Sequence, residues 1–148
     1  MLNDLVAEVA GMAEKFSDRL IQVEAKENIE AIADRDRLKQ VLINLINNAV
    51  KYSDFDQSID LILERVDQQA IIQVRDRGVG IPLQDQSRIF ERFYRVDEAR
   101  ARSTGGHGLG LAIAKTLVEG MGGSITVRSK LGEGSVVAIV LPTQLQKS

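Results

Sequence analysis

Arg37 to Tyr52 reads RLKQVLINLINNAVKY, and the folding of this stretch decides what the rest of the chain can be. Leu38, Val41, Leu42, Leu45, Ile46, Ala49 and Val50 recur at the i, i+3, i+4, i+7 spacing of an amphipathic helix, with Asp34 placed to cap its start. The opposite face carries Gln40, Asn44, Asn47, Asn48 and Lys51 where a band of Lys and Glu would be ordinary. Asparagine is a poor helix former, because its amide competes for nearby backbone groups. At about 100° per residue, Asn44, Asn48 and Lys51 share one narrow arc with Tyr52 at its edge. Two readings are open for this face. It is a solvated stripe, or it is a set of neutral oxygens beside one cation, which suits a ligand that is itself a phosphate–metal assembly.

Working outward towards the N-terminus, Leu2 to Leu20 has apolar residues at helical spacing and predicts a helix, with Ser17 and Asp18 marking its frayed end. Ile21, Val23 and Ala25 alternate with polar residues and predict a strand, and Ile29 to Ala33 predicts a second short one. On the other side, Ile59, Leu61 and Leu63 mark a third strand, with Asp67-Gln68-Gln69 as a hairpin connection. Ala70 to Arg75 is a fourth and more apolar strand, predicted to be central. A helical segment is expected to about Arg92, then a long polar run from Asp97 to Gly106, of the kind that forms functional lids. Gly108 to Met121 predicts a helix ended by Gly122-Gly123. Ser124 to Ser129 and Ser135 to Leu141 predict two final strands joined by a turn at Leu131 to Gly134. Strand pairs separated by helices predict an α+β fold: a two-layer α/β sandwich whose mixed, mostly antiparallel sheet is covered on one face by helices. The glycines do not sit in an early strand–turn–helix unit, so a doubly wound dinucleotide fold is not expected.

The 148 residues, 44% hydrophobic, suffice for one domain spanning the whole chain, 1–148. A net charge of −2 gives no case for nucleic-acid or membrane-surface binding. The absence of cysteine excludes disulfides and thiolate metal sites, and the single histidine, His107, excludes a multi-histidine site. No apolar run approaches the ~20 residues of a membrane span, so a cytoplasmic, monomeric domain is expected. A start inside an amphipathic pattern is what a piece of a longer chain would show.

Two glycine clusters carry the remaining chemistry. Asp76 stands at a strand exit immediately before Gly78 and Gly80, where a carboxylate can accept from an amino group and the glycines admit a ligand closely. A plain turn would use the same residues. Gly105-Gly106-His107-Gly108-Leu109-Gly110-Leu111 enters a helix, and successive N–H groups at a positive helix end make a phosphate cradle; the alternative is a hinge. Neither a P-loop nor the H-R-D and D-F-G motifs of protein kinases is present.

Five ordered segments together carry a resemblance: NLINNAVKYS (Asn44–Ser53), DRGVGIP (Asp76–Pro82), RIFERFYRVD (Arg88–Asp97), GGHGLGLAIAK (Gly105–Lys115) and GEGS (Gly132–Ser135). The chain resembles, over essentially its whole length, the catalytic, ATP-binding domain of a sensor histidine kinase. That superfamily, with its Bergerat-type fold, is shared with type II topoisomerases and the MutL repair proteins. The resemblance implies that Asn48 coordinates Mg²⁺ bridging the ATP phosphates, with Asn44 supporting the same assembly. It implies Lys51 on phosphate, Tyr52 on the adenine side, and Asp76 accepting from the adenine amino group, partly through a water that Ser135 helps to hold. Gly78, Gly80 and Ile81 would wall the base pocket. Gly106, Gly108 and Gly110 would place backbone amides at the phosphates, with His107, Leu109 and Leu111 in the same nucleotide-binding segment. Arg95 would steady the transferred phosphate, and Phe90 and Phe93 would anchor the lid.

The superfamily's hydrolases carry a glutamate where this chain has Asn44, and an amide cannot act as general base. Transfer of the γ-phosphate to an acceptor is therefore implied over hydrolysis. His107 lies between lid glycines, at a position where threonine or serine is common, and not on a helical phosphoacceptor motif. The acceptor is then a histidine on a separate dimerisation domain of the parent kinase, which in turn serves a response regulator's receiver domain in a two-component system. A nucleotide-sensing binding module and an anti-sigma-factor serine kinase are the alternatives; the FERFYRVD segment speaks against the latter.

Overall fold

In the computed structural model, Asp34 caps the central helix. Its Oδ1 accepts from the Arg37 N–H at 3.1 Å, occupying a donor that a bare helix start would leave unpaired, and its carbonyl accepts the first helical bond, from the Leu38 N–H at 2.9 Å. The structure describes residues 2–17, 20–31, 33–52, 58–77, 110–130 and 134–143. The helices among these are α1 (Leu2–Ser17), α2 (Arg35–Tyr52) and α3 (Gly110–Gly120). The strands are β1 (Ile21–Ala25), β2 (Ile59–Val66), β3 (Gln69–Asp76), β4 (Ser124–Lys130) and β5 (Gly134–Pro142).

The strands form one sheet in the order β1-β2-β3-β5-β4. β1 runs parallel to β2, and every other pairing is antiparallel. Parallel neighbours need a long crossover, and α2 lies on that connection. β2 and β3 form a hairpin whose turn residue Asp67 has φ 56°, a conformation that Asp tolerates better than most residues. Along β3 exposure alternates: Ala70, Ile72, Val74 and Asp76 are buried, while Ile71, Gln73 and Arg75 on the other face are only half-buried. The buried row faces the helix layer, where α2 packs on β3, α3 packs against α2, and α1 against β1 and α2. This is the expected two-layer sandwich, with β3 central.

The apolar stripe of α2 supplies the middle of the core. Leu38, Val41, Leu42, Leu45 and Ile46 are each at most 1% exposed, and Val50 is half-buried. The end of α3 follows from its glycines. Gly122 takes φ +80°, and the N–H groups of Gly122 and Gly123 reach back to the carbonyls of Glu119 and Val118 at 3.0 Å, satisfying acceptors that the last turn would leave open.

One expectation is corrected. Ile29 to Ala31 is not a strand. The Ile29 N–H donates to Asn3 Oδ1 at 2.8 Å and its carbonyl accepts from Leu2 N–H at 2.8 Å, so the segment serves the start of α1 instead of a ladder. The first helix ends at Ser17, where the sequence placed its frayed end. Leu20 is 59% exposed, and its carbonyl accepts from Ile59 N–H at 3.0 Å, which draws it into the β1–β2 pairing. The segment expected to be helical to Arg92, the run from Asp97 to Gly106 and most of the Leu131–Gly134 turn lie outside the described residues.

Outside the core, Glu8 on α1 pairs with Arg35 and, at 3.2 Å, with Lys39 of α2. The Lys39 hydrogen bond and charge, then those of Arg35, hold the Glu8 carboxyl below its ordinary 4.5. A depressed folded-state pKa contributes stability that is complete above the ordinary value and lost as pH falls through the lower one. The stability difference between the wild type and Glu8→Gln in urea titrations is thus expected at neutral pH and should vanish in acid below that value. Leu42→Ala, which leaves a cavity between α2 and the sheet, should lower the unfolding free energy in urea by about 2–5 kcal/mol.

Candidate functional site

Among the described residues the buried polar side chains are Asp60, Asp76 and Ser135, at 1%, 6% and 7% exposure. All three lie at the same end of the sheet: Asp60 at the start of β2, Asp76 at the end of β3, Ser135 at the start of β5. Burying a carboxylate is costly unless bonds replace its hydration, so such a cluster marks a built site.

Asp76 and Ser135 are register partners across the β3–β5 ladder, which puts both side chains on the helix-facing side of the sheet. Their approach depends on Gly134, whose φ is +106°. A Cβ on that residue would lie 2.1 Å from the Asp76 carbonyl oxygen and 2.8 Å from the Arg77 Cα. Only glycine allows the two backbones to run this close. Gly134 belongs to the GEGS motif but was not among the residues expected at the site. Its signal was that motif's second glycine, directly before Ser135.

Asn44 and Asn48 are half-buried on α2, while Gln40 and Asn47 are exposed. Gln40 Nε2 donates to Asn44 Oδ1 at 2.9 Å, one turn along the same face. Because α2 packs on β3 and α3 against α2, the helix of amides lies next to both the strand ending in Asp76 and the helix that follows the second glycine cluster. Leu111 is buried in the first turn of α3, where it joins the core, and Gly110 begins that helix. Lys51 and Tyr52 are the last residues of α2, and their side chains lie outside the description. Gly78, Gly80, Ile81, Arg95, Gly106, His107, Gly108 and Leu109 lie outside the described residues. Asp60, between Ile59 and Leu61 in β2, is buried beneath Arg75 and Arg77 on the face of the sheet away from the helices.

Among the described residues no three His, Cys, Asp or Glu side chains are grouped to hold a metal. A cation here would draw on phosphate oxygens, water and an amide oxygen, the donor set that suits Mg²⁺. No helix of the described residues is long and apolar enough to cross a membrane.

Gly134→Ala should shift the urea midpoint downward, by about 2 kcal/mol or more of stability, because both the φ and the close approach oppose a Cβ. Ser135→Ala should leave the midpoint within about 1 kcal/mol of wild type.

Residues 33–145 match the family described as histidine kinase-, DNA gyrase B-, and HSP90-like ATPase. The sensor histidine kinase RppB of Synechocystis sp. is 40% identical over 148 residues, covering 95% of this chain and 32% of that protein. The chain therefore spans about a third or less of the length of the curated relatives it matches. Its structure is similar to that of the mycobacterial sensor histidine kinase MprB, with a TM-score of 0.81 at 29% identity over 98% of this chain and 97% of that one. Full-length ShkA in complex with AMPPNP gives the same TM-score and identity over 100% of this chain and 31% of its own. The chain belongs to the histidine kinase-, DNA gyrase B- and HSP90-like ATPase family, as a histidine kinase catalytic domain.

Proposed function

We propose that this domain binds ATP with Mg²⁺ and delivers the γ-phosphate to a histidine on a separate dimerisation domain of its parent kinase. The observation that carries the reading is the buried Asp76 at the end of the central strand, aligned with Ser135 and beside the helix of amides. A buried carboxylate in that place accepts from the exocyclic amino group of adenine, which a guanine or hypoxanthine base does not offer there. The relative ShkA, solved with AMPPNP, supports nucleotide binding by this fold.

Asn48 would hold the Mg²⁺, which would offset the charge of the phosphates when bound. Asn44, fixed by Gln40, would present its amide to the same assembly, and Lys51 would pair with phosphate. Gly106, Gly108 and Gly110 would supply backbone donors, and Arg95 would steady the moving group. Phosphoryl transfer asks a protein for positioning and charge neutralisation more than for covalent chemistry. Asn44 offers no carboxylate to activate water, which favours transfer over hydrolysis. The two-component partners, the dimerisation domain and a response regulator, belong to the parent chain's function. His107 stays with the lid.

Calorimetry with ATP and Mg²⁺ should show binding that weakens at least about tenfold in Asp76→Ala and in Asn48→Ala, since each loses a charge-assisted or metal-directed contact. Unchanged affinity in Asp76→Ala would remove the adenine assignment. Labelled ATP plus a matched dimerisation domain should yield phosphohistidine. Binding without transfer would leave a nucleotide-sensing module.

A further inference from the structure

We infer that Asp60, Arg75 and Arg77 form a clamp on the open face of the sheet that positions Asp76 for base recognition, with Asp60 and Arg77 as positioning residues. The inference rests on the adenine-site reading above and extends it to side chains on the opposite face of the sheet.

Asp60 Oδ2 accepts from Arg75 Nε at 3.0 Å, Arg75 Nη2 at 2.7 Å and Arg77 Nη2 at 3.0 Å. Arg77 Nη1 also donates to Ser58 Oγ at 2.8 Å. The two arginines are the residues immediately before and after Asp76, and strand alternation turns them away from the side on which Asp76 is buried. The backbone ladder between β2 and β3 ends at the Asp60–Arg75 pair. Beyond that pair β3 is held by β5 on one side, and on the β2 side the Arg77 guanidinium bridges to Asp60 and Ser58. The clamp therefore takes over where main-chain pairing stops, and Asp76 lies between its two anchor points.

Its construction is not that of a stabilising ion pair. Asp60 is 1% exposed, and its second oxygen, Oδ1, is buried without a hydrogen-bond partner among the described residues. A desolvated carboxylate with an unused acceptor returns little net stability, so the geometry it enforces is its contribution. The R-D-R sequence at the strand exit then acts as a unit: the carboxylate in the middle reads the base, and the arginines on either side hold the pleat that aims it.

The test compares ATP with inosine triphosphate, whose base has a carbonyl where adenine has its amino group. Both are titrated calorimetrically with Mg²⁺ into the full chain, at a temperature where circular dichroism shows each variant folded. Wild type should prefer ATP, and Asp76→Ala should erase the preference. Arg77→Gln removes a guanidinium that is 46% exposed while Arg75 still covers Asp60, so it keeps the fold; Asp60→Asn keeps an acceptor for Arg75. Each should reduce the ATP-over-inosine preference about tenfold, the discrimination one well-aimed hydrogen bond supplies. A merely structural role would weaken both nucleotides equally. Equal weakening, or a wild-type preference in both variants, overturns the clamp while leaving the adenine site intact. A wild type without preference, or Asp76→Ala with wild-type preference, overturns the adenine site and the clamp together.

Discussion

The central strand β3 is hydrogen-bonded along both edges, and its last residue is a carboxylate. Every other feature of the site follows from that constraint. Pairing with β5 aligns Asp76 with Ser135, and the pairing is possible only because Gly134 has no side chain to meet the Asp76 carbonyl. Packing of α2 on the buried face of β3 then brings the amide-bearing helix to the same layer.

The two faces of the sheet divide the labour. On the helix-facing side, the aliphatic rows of β3 and β5 end in Asp76 and Ser135, so the apolar core stops at the polar pair. On the open side the same end of the sheet is closed by Asp60 with Arg75 and Arg77. The domain thus places charge on both sides of one strand terminus, with different partners and different purposes. Catalysis by positioning requires such rigidity, since a small displacement of a recognition group costs more than the contact itself.

Helix α2 combines two tasks that usually fall to separate elements. Its Leu38, Leu42, Leu45 and Ile46 anchor the core, while Asn44 and Asn48 occupy the other face, half-buried instead of fully solvated. Asparagine costs the helix some propensity, and the cap at Asp34 and the depth of the apolar stripe offset it. The strength of the fold at this helix is what permits a functional composition on its exposed side.

Periodicity and punctuation made most of the architecture legible. The i, i+3, i+4, i+7 stripe of α2, the alternation in β1 to β3, the Asp34 cap and the Gly122-Gly123 stop are local properties, and local properties are written in local sequence. The ordered motifs around Asn44, Asp76 and the glycine clusters likewise made the family legible. Three things were decided elsewhere. Ile29 has the composition of a strand, yet its N–H and carbonyl bond to the start of α1, a partner 26 residues away. Leu20 continues a helical pattern but is claimed by the β1–β2 pairing. Asp60 reads as one polar residue in an alternating strand, and only the β2–β3 register places it under two arginines. Sequence alone determined most of the helices and strands and the family, because periodicity and motifs depend on neighbours a few positions away. Tertiary structure decided which polar groups are buried together, because that depends on strand register, a long-range property that no single segment contains.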